Sequence, residues 1–278
     1  MGASREVGRA PVFEYAGTVA VVTGGARGIG RGITQAFLAA GADVVTCGRS
    51  AIEPGELPAV PGADGVERRA VHVVADIRDP DQAASVVTAA AERFGRLDVL
   101  VNNAGGSPEA PAATASPRFS TSIVALNLLA PLFCAQAANA VMQAQEAGGS
   151  IVNIGSVSGL RPSPGTAAYG AAKAGLVSLT QSLAVEWAPK VRVNCVSAGL
   201  VATDAADAHY GGAAGMAAVA ATVPLGRFGS PADIASLCLV LASPALAGYV
   251  SGANLVAHGG GEWPAFLTAA GGGPTAGG

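Results

Sequence analysis

The sequence predicts an α/β protein: a single doubly wound domain in which seven parallel strands form one sheet with helices on both faces. Short runs rich in Val and Ile alternate with longer Ala-rich runs of helical period from Val19 almost to the end of the chain, which is the rhythm of βαβ units. The short runs are apolar throughout rather than alternating, as strands covered on both faces require. At 278 residues the chain is long enough to bury a core of this kind without disulfides or a structural metal.

The expected strands are residues 19–22, 43–46, 71–75, 99–101, 150–154, 192–195 and 254–256. Helical runs follow the first strand at 31–40 and the fifth at 167–187, and an uncharged run, 119–145, follows the fourth. That last run is long enough to span a bilayer, but Asn127, Pro131, Gln136, Asn139 and Gln143 inside it favour a helix buried between protein surfaces. Residues 50–65 carry three prolines and three glycines where a crossover helix is due, so a connection that is mostly loop is expected. Residues 200–229, Ala- and Gly-rich with Asp204, Asp207, His209 and Tyr210, read as a lid or binding loop. The organisation is therefore an N-terminal extension 1–16, one domain 17–262, and a tail 263–278 whose Gly-rich end, 271–278, is expected to be disordered.

Composition narrows the function classes. Half the residues are hydrophobic and 13% are charged, but Ala and 39 Gly account for much of this, a bias toward small residues and close packing. The net charge of −3 comes with no block of either sign, which argues against nucleic acid as a partner. Cys47, Cys134, Cys195 and Cys238 lie far apart with no CxxC pair and no histidine at ligand spacing, so no metal is expected and they read as buried free thiols in a reducing compartment. The first sixteen residues lack the apolar core of a signal peptide, and a cytoplasmic location is expected.

Two motifs carry chemistry. Thr23-Gly24-Gly25-Ala26-Arg27-Gly28-Ile29-Gly30 joins the first strand to a helix, where glycines let backbone approach a pyrophosphate and the helix N-terminus supplies free N–H groups. In a chain this rich in glycine, roughly 0.8 such triplets arise by chance, so the strand before and the helix after give the motif its weight. Tyr169-Gly170-Ala171-Ala172-Lys173 is sharper. Its i, i+4 spacing puts phenol and ammonium on one helix face, and a nearby cation lowers a tyrosine pKa toward neutrality, suiting it to proton transfer. With only two lysines in the chain, about 0.03 such pairs are expected by chance.

With these motifs the chain resembles the short-chain dehydrogenase/reductase family over residues 17–261. Asp76-Ile77 after the third strand, Asn102-Asn103-Ala104-Gly105 after the fourth, Asn127, and Ser156 thirteen residues before Tyr169 stand in the family's order. The resemblance implies a Rossmann-type fold and a nicotinamide-dependent hydride transfer between the cofactor and a carbonyl or secondary alcohol. It gives Ser156, Tyr169, Lys173 and Asn127 the catalytic positions: Ser156 holds the substrate oxygen, Tyr169 exchanges its proton, Lys173 binds the nicotinamide ribose and tunes the tyrosine, and Asn127 holds a relay water. Ser158 is an alternative to Ser156, and Asn127 can instead be a residue that kinks its helix.

For the cofactor, the resemblance assigns Gly24, Arg27, Gly28, Ile29 and Gly30 to the glycine loop, Asp76 and Ile77 to the adenine, and Asn103, Ala104 and Gly105 to the adenosine ribose. Asp76 reads equally as a turn cap. Gly199, Val201 and Thr203 fall at the nicotinamide end, where Ala198-Gly199 replaces the family's usual Pro-Gly. Position 48, often acidic in NAD-preferring members, is glycine here, and Arg49 with Arg27 can flank a 2′-phosphate. NADP is therefore expected, with NAD as the alternative should Glu53 or Glu56 reach the same place. The mouth segments lack basic residues for an acidic carrier protein, which favours a small uncharged carbonyl or secondary alcohol over a 3-oxoacyl thioester. NAD-dependent alcohol oxidation is the runner-up, and a non-catalytic dinucleotide sensor is disfavoured because all four catalytic positions are filled. The apolar faces of the two long helices imply a homo-oligomer, a dimer or a tetramer.

Overall fold

The computed structural model describes residues 13–62, 66–203 and 210–264, with Phe266 and Ala269. Residues 1–12 of the expected extension, Gly65, Asp204, Asp207, His209 and the end 271–278 lie outside the described residues. One sheet organises the rest. Its strands are β1 (Val19–Thr23), β2 (Asp43–Gly48), β5 (Val71–Val74), β6 (Val99–Asn102), β7 (Gly149–Ser156), β8 (Val191–Ala198) and β9 (Asn254–Ala257). They pair in the order β5-β2-β1-β6-β7-β8-β9, every pairing parallel, so the sheet reverses its winding between β1 and β6. At such a switch point the loops leaving two neighbouring strands diverge and open a crevice at their carboxyl ends.

Two apolar clusters cover the faces. Helix α2 (Pro80–Phe94) and a long helix pack on one side, where Val86, Leu97, Leu100, Cys134, Met142 and Ile151 are buried. The long helix is α3 (Pro117–Val124), a π-helical turn (Ala125–Leu129) and α4 (Ala130–Ala144) in continuity. Long and apolar enough by composition to cross a membrane, in the fold it buries its Ala130, Cys134, Ala135, Ala138 and Met142 face on the sheet. On the opposite side α1 (Gly28–Ala39) meets α7 (Pro231–Ala242) over Ile33, Phe37, Ile234 and Cys238. Helix ends follow from local sequence: Asp79 caps α2 ahead of Pro80, Gly95 ends it in the left-handed region, and Ser230 with Asp233 forms a capping box at α7.

Two segments differ from the sequence reading. Within and just beyond residues 50–65, a short hairpin pairs β3 (Ala59–Pro61) with β4 (Glu67–Arg69), preceded by a single 3-10 turn. Proline at Pro61 is tolerated there because an edge strand needs no donor on its outer side. The expected lid holds a helix, α6 (Gly212–Ala220), and its two ends are clasped where Val201 bridges Gly229. A short helix, α8 (Pro244–Ala247), and α5 (Ala167–Glu186), behind β7 and β8, complete the described elements.

Candidate active site

A cleft of about 850 Å³ crosses the carboxyl edge of the sheet from the glycine loop to Tyr169. At one end β1 runs into α1, whose first turn has no side-chain cap, so its N–H groups remain available to a ligand. Gly30 has no room for a side chain: a Cβ there would lie 2.3 Å from the Gly24 carbonyl oxygen and 2.4 Å from Asn103 Nδ2. Gly28, with φ of +49°, sits against Thr203. Thr23 holds the wall opposite, its Oγ1 accepting from the backbone N–H groups of Asn103 (2.9 Å) and Ala104 (3.0 Å). Asn103 lines the cleft and donates its amide to Thr23 O at 2.9 Å, which ties this wall to the glycine loop. A narrow trough of exposed backbone with a free helix start fits an extended dinucleotide.

At the other end four groups converge. Ser156 ends β7 and Tyr169 and Lys173 lie one turn apart on α5. The 3-10 turn Val157–Gly159 brings them together because two glycines let it touch α5. A Cβ at Gly170 would lie 2.7 Å from Ser158 O, and one at Gly159 2.6 Å from Ala174 N. Lys173 is 3% exposed; its Nζ donates to Ile154 O at 2.7 Å and lies 5.7 Å from the Tyr169 ring centre. Burial lowers its pKa from the ordinary 10.5 to about 8. Burial also raises the Tyr169 phenol, with the Ser156 hydrogen bond opposing it, the reverse of the lowering expected from the ammonium.

Asn127 is fully buried in the π turn. It accepts from the Gly106 N–H (2.9 Å) and donates to Gly106 O (3.0 Å) and Ile123 O (2.9 Å). It thus pins the loop after β6 to the widened helix, and a Cβ at Gly105 would stand 2.7 Å from its Oδ1 and 3.3 Å from Lys173 Nζ.

At the end of β2 Gly48, Arg49, Asp76 and Ile77 line the cleft with Arg27. Both Arg27 and Arg49 are exposed, and neither has an ion-pair partner among the described residues; Glu53 and Glu56 are not in the lining. His72 stands behind Gly48, joining Thr46 Oγ1 (2.9 Å) to the Ser50 carbonyl (3.0 Å) and so fixing the backbone that carries Arg49. The Asp76 carboxylate is gripped by Arg78, which holds its pKa below the ordinary value and also reaches Ser122 on α3 at 3.1 Å.

All the residues singled out in the sequence meet in this cleft or support it, except that Val201 serves the clasp at the lid's base and packs with the apolar cluster over α1 and α7. Gly159, Gly170, His72 and Arg78 were missed. The two glycines carry no local signal, since what forbids a side chain at each is backbone distant in sequence, and Arg78 beside Asp76 reads as an ordinary surface pair.

Comparison with known proteins agrees with the geometry. The family described as enoyl-(acyl carrier protein) reductase matches residues 24–262. Galactitol 2-dehydrogenase of Agrobacterium fabrum is 37% identical over 235 residues, 81% of this chain and 90% of its own length. L-Rhamnose 1-dehydrogenase (NAD(P)+) of Azotobacter vinelandii is 37% identical over 244 residues, 86% of this chain and 94% of its own. The crystal structure of a short-chain type dehydrogenase/reductase from Mycobacterium marinum superposes with a TM-score of 0.80 at 31% identity, covering 91% of this chain and 98% of that one. With the glycines from Gly24 on, six of the seven sheet strands and the Tyr169–Lys173 helix inside the matched span, the chain belongs to the short-chain dehydrogenase/reductase family and is an NAD(P)-dependent oxidoreductase.

Proposed function

We propose that this oxidoreductase interconverts a small uncharged carbonyl compound and its secondary alcohol, prefers NADP, and works through Ser156, Tyr169, Lys173 and Asn127. The observation that carries the reading is the single cleft that joins the uncapped glycine loop to the phenol of Tyr169 beside Ser156 and Lys173. A bound nicotinamide supplies or accepts the hydride. Ser156 orients the substrate oxygen, and Tyr169 gives it a proton on reduction or takes one on oxidation. Lys173, with a pKa of about 8, returns that proton as the ammonium beside the phenol, and Asn127 keeps the loop at Gly105 and Gly106 open to its Nζ. Asp76 and Ile77 receive the adenine, and Gly199 and Thr203 the nicotinamide end.

NADP preference rests on charge: two exposed guanidinium groups, Arg27 and Arg49, line the cleft with Gly48 and have no ion-pair partner among the described residues, while the Asp76 carboxylate in the same lining is engaged by Arg78. The test is titration with NADPH and NADH, followed by nicotinamide fluorescence. Arg49→Ala should weaken NADPH by about ten- to a hundredfold and leave NADH unchanged; equal loss for both, or a wild-type preference for NADH, overturns the assignment. The relatives that act on galactitol and L-rhamnose support a second reading, oxidation of a polyol or sugar with NAD. The four buried free thiols suit a reducing cytoplasm, and exposed apolar side chains on the long helices, Leu129 and Val185, suit a homodimer or homotetramer.

A further inference from the structure

Among the described residues that line the cofactor cleft, Asp76 is the one carboxylate, set against Arg27, Arg49 and Arg78. Its position follows from the sheet. Gly48 of β2 pairs with Val74 of β5, and Ala75 N–H donates to Gly48 O at 2.9 Å, so Arg49 and Asp76 leave the ends of neighbouring parallel strands. Arg78 first, and the charge of Arg49 after it, hold the Asp76 carboxyl below its ordinary range, which puts Arg49 within electrostatic reach. An uncompensated carboxylate at such a place competes with a phosphate for the guanidinium and repels it.

The Arg78 side chain engages that carboxylate closely. Its Nε donates to Asp76 Oδ1 at 2.9 Å and Oδ2 at 3.1 Å, its Nη2 donates to Oδ2, and its backbone N–H donates to Oδ1 at 3.2 Å. These bonds occupy most of the roughly four acceptor sites of a carboxylate. The guanidinium is held from the other side as well, where Nη1 donates to Ser122 Oγ on α3 at 3.1 Å. With 35% of the Arg78 side chain and 30% of the Asp76 side chain exposed, the pair is screened less than one standing free in water. We propose that Arg78 is a positioning residue for cofactor choice: it holds Asp76 as a neutral pair anchored on Ser122 and so leaves Arg49 free to meet a 2′-phosphate. The inference rests on the NADP preference above and assigns part of that preference to a residue acting by way of Asp76.

The test is titration of the full-length protein with NADPH and NADH, followed by nicotinamide fluorescence. The two share their adenine, so whatever Asp76 does for the base cancels in the ratio of their dissociation constants, and the ratio isolates the phosphate. Arg78→Ala should lower the preference for NADPH by about tenfold, and Asp76→Asn added to it should restore the preference to within about threefold of the wild type. Arg78→Gln, which keeps a donor for Ser122 but no charge, should behave as Arg78→Ala does and serves where the smaller side chain unsettles the loop. A guanidinium that merely ties the loop to α3 predicts equal loss of both cofactors and no rescue by Asp76→Asn. If Arg49→Ala is selective against NADPH, an unchanged preference in the Arg78 variants, or a lost one that Asp76→Asn does not restore, overturns this inference alone. A wild type that prefers NADH, or an Arg49→Ala variant that loses both cofactors equally, overturns the NADP assignment, and this inference with it.

Discussion

Tyr169 and Lys173 owe their properties to burial more than to each other. Burial raises the phenol and brings the ammonium down to about 8, which draws the two groups' proton affinities apart. Tyr169→Phe removes the donor and nothing else, and should lower kcat by about a hundredfold or more with NADPH affinity intact; parallel loss of binding would place the residue in the cofactor site only. Lys173 also marks stability. Its pKa is about 8 in the fold against an ordinary 10.5, so between those values the unfolded chain binds more protons, and this group makes the protein more stable as pH rises through that window. Below about 8 its burial penalty is present in full. The denaturation midpoint of the wild type minus that of Lys173→Met should therefore climb from pH 8 to 10.5, and a flat difference would contradict the buried ammonium. These two residues were legible in the sequence because their relation is local, one helical turn. Asp76 was legible only as a position: its carboxylate is tied up by Arg78, a pairing that adjacency on a loop does not distinguish from a solvated one.

At the scale of elements, the contact that assembles the site is the 3-10 turn Val157–Gly159 lying on α5. Alanine in place of glycine inside a helix ordinarily stabilises by about 1 kcal/mol. At Gly170 the new Cβ would press on the Ser158 carbonyl at 2.7 Å, forcing the turn, and Ser156 with it, away from the helix. Gly170→Ala should thus show no gain in Tm and a fall in kcat of about tenfold or more, since small displacements of a positioned group are costly; a more stable, fully active variant would show that the turn yields freely. The strands were legible because covered parallel strands are continuous Val/Ile runs, as in residues 19–22 and 99–101. The β3–β4 hairpin was not, because its residues, Ala-Val-Pro and Glu-Arg-Arg, pair only with each other and carry no alternation, and the Pro-Gly and Asp-Gly signals between them read equally as loop. The π turn at Asn127 was not legible, a kink there being only the alternative reading, because the widening goes with amide bonds to Gly106 and Ile123.

At the scale of the whole molecule, the layered architecture and the family were readable from rhythm and motif order, while assembly depends on surfaces that the sequence marks only by missing charge. Val185 on α5 is 81% exposed and would face a partner if α5 lies at an interface. Val185→Glu should then shift the protein toward a smaller species in light scattering, and unchanged mass would move the interface elsewhere. The meeting of α1 with α7 carries a consequence for biosynthesis. Gly32 of α1 is so closely apposed to Pro231 that a Cβ there would lie 2.5 Å away, and Ile33 and Phe37 share a buried cluster with Ile234 and Cys238. The helix that follows the glycine loop is made some two hundred residues before the segment that covers part of its apolar side. A nascent chain released before Pro231 carries a complete glycine motif with Ile33 and Phe37 lacking the cover of Ile234 and Cys238, and it is chaperone capture of such chains, rather than dinucleotide binding, that should dominate their fate.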